Sequence, residues 1–350
     1  MVETISHTTV TSAISGQVSV APQEGTSRAR GLSSGAVAGI AIATALIGIA
    51  IGAIAAVFLK RRGGKYKAPP NYAVYSDREK EAPISPGTHD ALPVDQALLD
   101  AQSDTALASE LRSLNQLIKE HAETHYRTDH VQMESSSLRQ PLDDLGIERG
   151  NAPVIARLAS LALEPRTRLK AIRYVIAKTV FESTVIGGSA CVSMLPPVAS
   201  GLGASIPRME DDIGRDEASE IALTRWRQLT AFLLNPDRGQ LTPLVPSEDI
   251  STQQAQQLTL ALNRFLEPFF PSDREERYEQ ENSLRELVAE CATFGYVIFS
   301  QPAEYRFRYD SNGGLNTLVV FPGLDRISDE EGRRYRPPEP RIAPPVVESV

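Results

Sequence analysis

The chain lacks the residues from which most recognisable active sites are built. Of its 350 residues only two are cysteine, Cys191 and Cys291. That is too few for a disulfide framework, and their spacing fits neither a CxxC redox pair nor a zinc ribbon. Both are expected to be reduced, buried thiols. Histidine is scarce too, with five in all. His121 and His125 lie four apart on one face of a predicted helix, a spacing that can grip a metal. A zinc-peptidase helix needs glutamate directly after the first histidine, and Ala122 stands there, with Glu123 one place late. The pair reads as solvated helix histidines. No GxxxxGK[ST] loop and no GxSxG elbow occur. Ser200-Gly201-Leu202-Gly203 lacks the strand, third glycine and following helix of a dinucleotide site, so residues 187–205 are expected to be a flexible connector. No catalytic residue, cofactor or metal is therefore expected, and the chain reads as non-enzymatic.

Excess positive charge is missing as well, except in one place. The net charge is −8, and an acidic body excludes the phosphate neutralisation on which nucleic-acid binding depends. The exception is Lys60, Arg61, Arg62, Lys65 and Lys67, which follow directly on a long apolar run.

That run, Ala36–Leu59, has 24 residues with no charge, and Thr44 is its only polar side chain. As a helix it would reach about 36 Å at ~1.5 Å per residue, enough for a hydrocarbon core of ~30 Å. Residues 35–59 are therefore predicted to be a single transmembrane helix with the lipid bilayer as its solvent. The run begins too late and is too long for a cleaved signal peptide. Five basic residues follow it and two, Arg28 and Arg30, precede it, so the C-terminal side is expected in the cytosol and the N-terminus outside or lumenal, in the plasma membrane rather than an endomembrane. The basic strip is an anchor and also a candidate contact for anionic lipid headgroups, at ~1 kcal/mol per basic residue. Thr44, Gly48, Gly52 and Ala56 put small residues at every fourth position, a face on which two such helices could pair as a homodimer.

Outside the membrane segment the chain divides by composition. Residues 1–34 hold twelve Ser/Thr and are expected to be a disordered exported tail suited to O-glycosylation. Residues 60–103, with Pro69, Pro70, Pro83, Pro86 and Pro93, read as a basic juxtamembrane strip and disordered tether spanning ~35 Å root-mean-square. Ser85-Pro86 is a candidate phosphosite within it. Residues 326–350 read as a disordered Pro/Arg-rich tail, in which Arg334, Pro337 and Pro340 fit an SH3-type ligand.

The remaining part, 104–325, is predicted to be a mainly α cytosolic helical-bundle domain with a small C-terminal β-hairpin. Leu107, Leu111, Leu114, Leu117, Ile118 and Tyr126 follow the N-cap Ser103-Asp104 at helical steps. A polar break is expected at Ser135-Ser136-Ser137 and Pro141. Val154–Leu163 and Leu169–Val180 are the next helices, and Ile221, Trp226, Leu229, Phe232 and Leu233 mark another, stopped by Asn235-Pro236. Ser251 and Gln254 form a capping box ahead of Leu258, Leu262 and Phe265, and Asp273 opens the last helix. Tyr305, Phe307 and Tyr309 alternate with Arg306 and Arg308, and a glycine-rich turn leads to Leu318–Phe321. That predicts a hairpin with the arginines on its wet face.

Phe294-Gly-Tyr-Val-Ile-Phe-Ser-Gln-Pro302, and Leu318-Val-Val-Phe-Pro-Gly-Leu324 followed by Asp329-Glu-Glu-Gly332, resemble a group of filamentous-fungal single-pass membrane proteins of unknown function. The resemblance covers 105–335. It implies an N-terminal membrane helix joined to a cytosolic helical domain, with room for a larger lumenal part, and implies no activity. The expected function is a membrane-anchored interaction or scaffold module for a cytosolic protein partner. The alternatives are a surface-stress sensor with a short glycosylated stalk, and a tethered enzyme of unfamiliar type.

Overall fold

A computed structural model describes residues 99–205, 217–310 and 316–350, all within the compact unit Ser85–Val350. The transmembrane segment 35–59, the pairing face Thr44, Gly48, Gly52 and Ala56, the strip Lys60, Arg61, Arg62, Lys65 and Lys67, and the exported tail lie outside the described residues. No helix among the described residues is long and apolar enough to cross a membrane.

The described chain is mainly helical. Helix α1 (Asp104–His125) begins where Ser103 accepts a hydrogen bond from the Ala106 N–H, and it buries Leu107, Leu111, Leu114, Ile118 and Ala122. Helix α2 (Ser136–Asp144) occupies the expected polar break and carries Pro141 inside it. Proline removes one backbone bond at a cost of ~3 kcal/mol. Burying Leu138 and Leu142 on one face, at ~1.5–3 kcal/mol each, offsets that cost. Helix α3 (Ala152–Leu163) is capped by Asn151. Helix α4 (Arg168–Glu182) is buried on nearly every side and forms the centre of the domain.

Helix α5 (Pro197–Ser205) lies in the stretch expected to be a flexible connector, with Gly201 inside a helix. Helix α6 spans Glu217–Leu234. Helix α7 (Glu248–Leu266) starts at Ser247, one turn before the predicted capping box. Glu248 and Asp249 in its first turn suit the positive end of the helix dipole, and Ser251 bonds back to the Glu248 carbonyl. Helix α8 (Arg274–Ser300) is capped as predicted, Asp273 accepting from the N–H groups of Glu275 and Glu276 at 2.8 and 3.1 Å. It packs against α1, α4, α6 and α7.

Five short strands follow: β1 (Tyr305–Arg308), β2 (Thr317–Phe321), β3 (Gly323–Arg326), β4 (Arg341–Ala343) and β5 (Val346–Ser349). The predicted strands exist, but they do not pair with each other. β1 pairs antiparallel with β3, Tyr305 opposite Arg326, and β3 with β4, while β2 pairs with β5. The reason is burial. β2 packs on α4, and its Val319, Val320 and Phe321 are all covered, so it serves as a core strand rather than one arm of a half-wet hairpin. Pro322 separates β2 from β3. A side chain at Gly323 would meet the Pro345 nitrogen at 2.7 Å and the Ala343 carbonyl oxygen at 2.8 Å, so only glycine lets the β4–β5 link pass.

The tail 326–350 is therefore not disordered. It supplies β4 and β5, with Ala343 buried, because β2 and β3 need partners for their backbone groups. The domain also begins earlier than position 104. Leu99 is buried with Leu195, Ala199, Ala231, Leu244, Tyr296 and Phe299, and the Asp100 N–H bonds the Leu241 carbonyl. The main core centres on Phe181, whose ring lies 4.7 Å from Phe307, 5.3 Å from Phe321 and 6.4 Å from Phe294.

Candidate docking groove and the buried polar clusters

Two buried arginines hold main chain rather than a ligand. Arg168, the first residue of α4, is fully buried. It donates to the carbonyls of Ala162 and Leu163 at the end of α3 (3.0 and 2.9 Å) and to those of Arg127 and Asp129 (3.0 and 2.6 Å), and its guanidinium lies over the Phe269 ring. Orphan carbonyls at a helix C-terminus and in a loop thereby share one planar cation.

Arg227 of α6 does the same at the end of α8. It donates to the carbonyls of Phe299 (2.6 Å), Gln301, Pro302 (2.9 Å) and Ala303 (2.9 Å), while Gln228 donates to those of Pro302 and Glu330. Burial pulls the Arg227 guanidinium down to about 10, against weaker support from Glu304. This task inverts α6. Its buried residues include Glu220, Thr224, Arg227 and Gln228, whereas Leu229 and Leu233, expected to face inward, are 39% and 58% exposed.

The histidine pair is a third cluster. His121 is buried, contrary to the expectation of a solvated side chain. Its Nδ1 lies 2.8 Å from the Ser283 hydroxyl and its Nε2 3.1 Å from the Tyr126 hydroxyl, which also accepts from Gln280 at 3.0 Å. A neutral ring that accepts at Nε2 and donates from Nδ1 satisfies every partner. Burial, with His125 nearby at 4.9 Å, pulls its pKa down to about 3. With both nitrogens engaged, neither is open to a metal. No group of three or more metal-ligating side chains occurs among the described residues.

A cleft of about 370 Å³ between α4 and the first sheet gathers Tyr174, Lys178, Arg308, Tyr309 and Asp325. Its central charges face one another. Lys178 Nζ lies 3.3 Å from Glu182, 3.8 Å from Glu148 and 4.2 Å above the Tyr309 ring, and Arg308 lies 3.1 Å from Asp325. Tyr174 donates to Glu148 and Tyr309 to the Ala177 carbonyl, and burial raises both phenols well above their usual range, so they stay protonated. Of the two arginines expected on a wet face, Arg306 is exposed and Arg308 is half-buried in this ion pair.

A larger groove, about 680 Å³, runs between residues 130–135 and the end of α3 at Ser160, Leu163, Glu164 and Pro165. The run from His130 to Glu134 forms neither helix nor strand. Among the described residues, no hydrogen bond uses the backbone N–H or C=O of His130, Val131, Gln132 or Met133. Val131 is buried and holds the run in place, while His130, Gln132 and Met133 are exposed.

The remaining predicted residues fall elsewhere. Arg334 lies 2.7 Å from the Glu220 carboxylate of α6, so the cation of the expected SH3-type ligand is spent inside the domain; Pro337 and Pro340 are exposed. Cys191 is at the surface, not buried, whereas Cys291 is buried and its thiol pushed well up.

Sequence reasoning missed both clamps and the groove. One signal was available for Arg168: a cation at the first position of a helix opposes the dipole and needs another reason to be there. Arg227 sits between Trp226 and Leu229 and gives no comparable sign. Neither a family model, nor a curated protein, nor a solved structure matches this chain.

Proposed function

We propose that the chain is a membrane-tethered, non-enzymatic interaction module whose helical domain presents a docking surface to a cytosolic protein partner. The observation that carries this reading is the unpaired backbone of His130–Met133 along an open groove. Elsewhere the central polar groups are engaged from within: Arg168 and Arg227 hold carbonyls, His121 holds two hydroxyls, Lys178 faces Glu148 and Glu182, and Arg308 faces Asp325. Groups committed to one another are poorly placed to hold substrate or move a proton, whereas an open run of N–H and C=O groups is a template for another chain.

The membrane half of the proposal rests on the 24 uncharged residues Ala36–Leu59 and the five cations after them. On that arrangement the tether raises the local concentration of a partner at one membrane face.

Proximity labelling and cross-linked pull-down of the full-length chain test the interaction reading. Recovery of the same cytosolic protein in independent repeats is expected. Failure to recover any reproducible partner, with the protein correctly located, would overturn it.

A further inference from the structure

We infer that the groove between residues 130–135 and the end of α3 takes an extended, basic segment of a partner protein, which pairs its main chain with the free backbone of His130–Met133. The inference rests on the interaction reading and adds to it the place of contact and the chemistry of the partner.

Three observations converge. The first is the backbone. His130, Val131, Gln132 and Met133 leave four N–H and four C=O groups without a partner among the described residues, although helix α2 begins only two residues after Glu134. Alternate residues of such a run can face a neighbouring strand, which sits ~4.8 Å away. Val131 alone is buried and pins the run, while His130, Gln132, Met133 and Glu134 are exposed to an incoming chain.

The second is rigidity, which keeps the cost of binding low. The segment just before the run is held by Arg168, which grips the Arg127 and Asp129 carbonyls, and by the Arg127 N–H, which bonds the Phe269 carbonyl. The segment just after it is held by α2, where the Ser137 N–H bonds the Glu134 carbonyl. Both ends of the row are fixed while its middle is open.

The third is charge, which selects the occupant. Glu134 and Glu164 are the charged side chains lining the groove, and no lysine or arginine lines it. Ser136 donates to Glu134 and holds it in place. Arg168 lies behind the wall, fully buried and committed to four carbonyls; its charge acts on Glu164, and Glu134 carries the lip's acidity on the other side. A peptide carrying lysine or arginine at alternate positions would meet these carboxylates while its intervening apolar residues cover Met133, Leu163 and Pro165. At about 680 Å³ the groove falls within the ~300–1,000 Å³ typical of ligand-sized sites.

Full-length protein in a mild detergent would be titrated, by fluorescence anisotropy, into three labelled peptides: Lys-Val-Lys-Val-Lys, Glu-Val-Glu-Val-Glu, and the lysine peptide with its central residue replaced by proline. We expect binding of the first alone, weakening with added salt, and slower hydrogen exchange at the amides of residues 130–133 when it is bound. Gln132→Pro, at an exposed position without a hydrogen-bond partner in the fold, should weaken binding about tenfold or more, because it removes one donor and blocks pairing beside it. The pair Glu134→Lys and Glu164→Lys should reverse the preference toward the glutamate peptide; it is the second test should Gln132→Pro alter the far-ultraviolet spectrum. The proposal is overturned by equal binding of all three peptides, by no binding, or by exchange protection confined to self-association of the chain. If a partner is recovered from cells equally well by the wild type and by both variants, the interaction reading stands and this groove is not its site.

Discussion

At the scale of single residues, His121 links burial to acidity. Its ring is neutral in the fold, with the pKa pulled from 6.5 to about 3, so the unfolded chain takes up its proton first. The sign follows from the lowered value. Its contribution is fully present above the unfolded pKa and is lost as pH falls toward the folded one. Stability should be level above pH ~6.5 and then fall by up to ~1.4 kcal/mol per unit on acidification through this residue. Urea unfolding at pH 7.5, 5.5 and 4.5 would show it, and His121→Gln should flatten the slope while lowering the plateau. An unchanged slope in the variant would reassign the acid sensitivity to other groups.

Gly295 sits at a close approach of equal consequence. A side chain there would come within 2.4 Å of Thr184 Cβ, at the end of α4. Gly295→Ala should cost about 1–3 kcal/mol by overpacking. Thr184→Gly should recover much of that in the double variant, read as a non-additive pair in denaturant midpoints. Arg168 shows the opposite problem, a group whose loss leaves others stranded. Arg168→Met would leave the carbonyls of Ala162, Leu163, Arg127 and Asp129 without their donor, and a loss of ~3–5 kcal/mol is expected. Lysine should not restore it, because an ammonium cannot span carbonyls arranged for a planar fork; thermal unfolding of both variants would tell.

At the scale of elements, the C-terminal strands separate two accounts of residues 326–350. Were this a loose tail, cutting the chain after Pro340 would change little. The truncation instead removes β4 and β5, uncovers β2 at Leu318, Val319 and Phe321, and leaves a buried strand edge unpaired. Truncated protein should unfold at a lower denaturant concentration and aggregate, measured by light scattering beside the full chain. The same reasoning explains α6. Its apolar residues look outward because its polar ones are needed at the end of α8, where four carbonyls await a donor. Periodicity revealed that a helix is there; it could not reveal which face the rest of the molecule would claim.

At the scale of the whole molecule, α8 ties the domain together by packing against α1, α4, α6 and α7. The membrane proposal adds an attachment to this domain. Extraction with alkaline carbonate should leave the full-length protein in the pellet, and a tag at the C-terminus should resist external protease while one at the N-terminus does not. Release into the supernatant would remove the anchor from the account. Tethered docking and groove binding are separable at this scale, since the first depends on Ala36–Leu59 and the second on residues 130–135 and 160–165.

Local chemistry alone fixed a good part of this protein. The caps at Ser103 and Asp273, the helical steps of α1, α3, α4 and α8, and the strand alternation at Tyr305–Arg308 are written in neighbouring residues, because capping and amphipathic burial act over a few positions. What lay beyond the sequence was every choice of partner. Ser136–Asp144 is a helix because Leu138 and Leu142 find a core to enter, β1 meets β3 rather than β2, the tail becomes sheet, and Arg168 and Arg227 turn inward to carbonyls from distant segments. Each of these is settled by a buried backbone group or an apolar face that must be matched by something far along the chain, and only the folded molecule brings the two together.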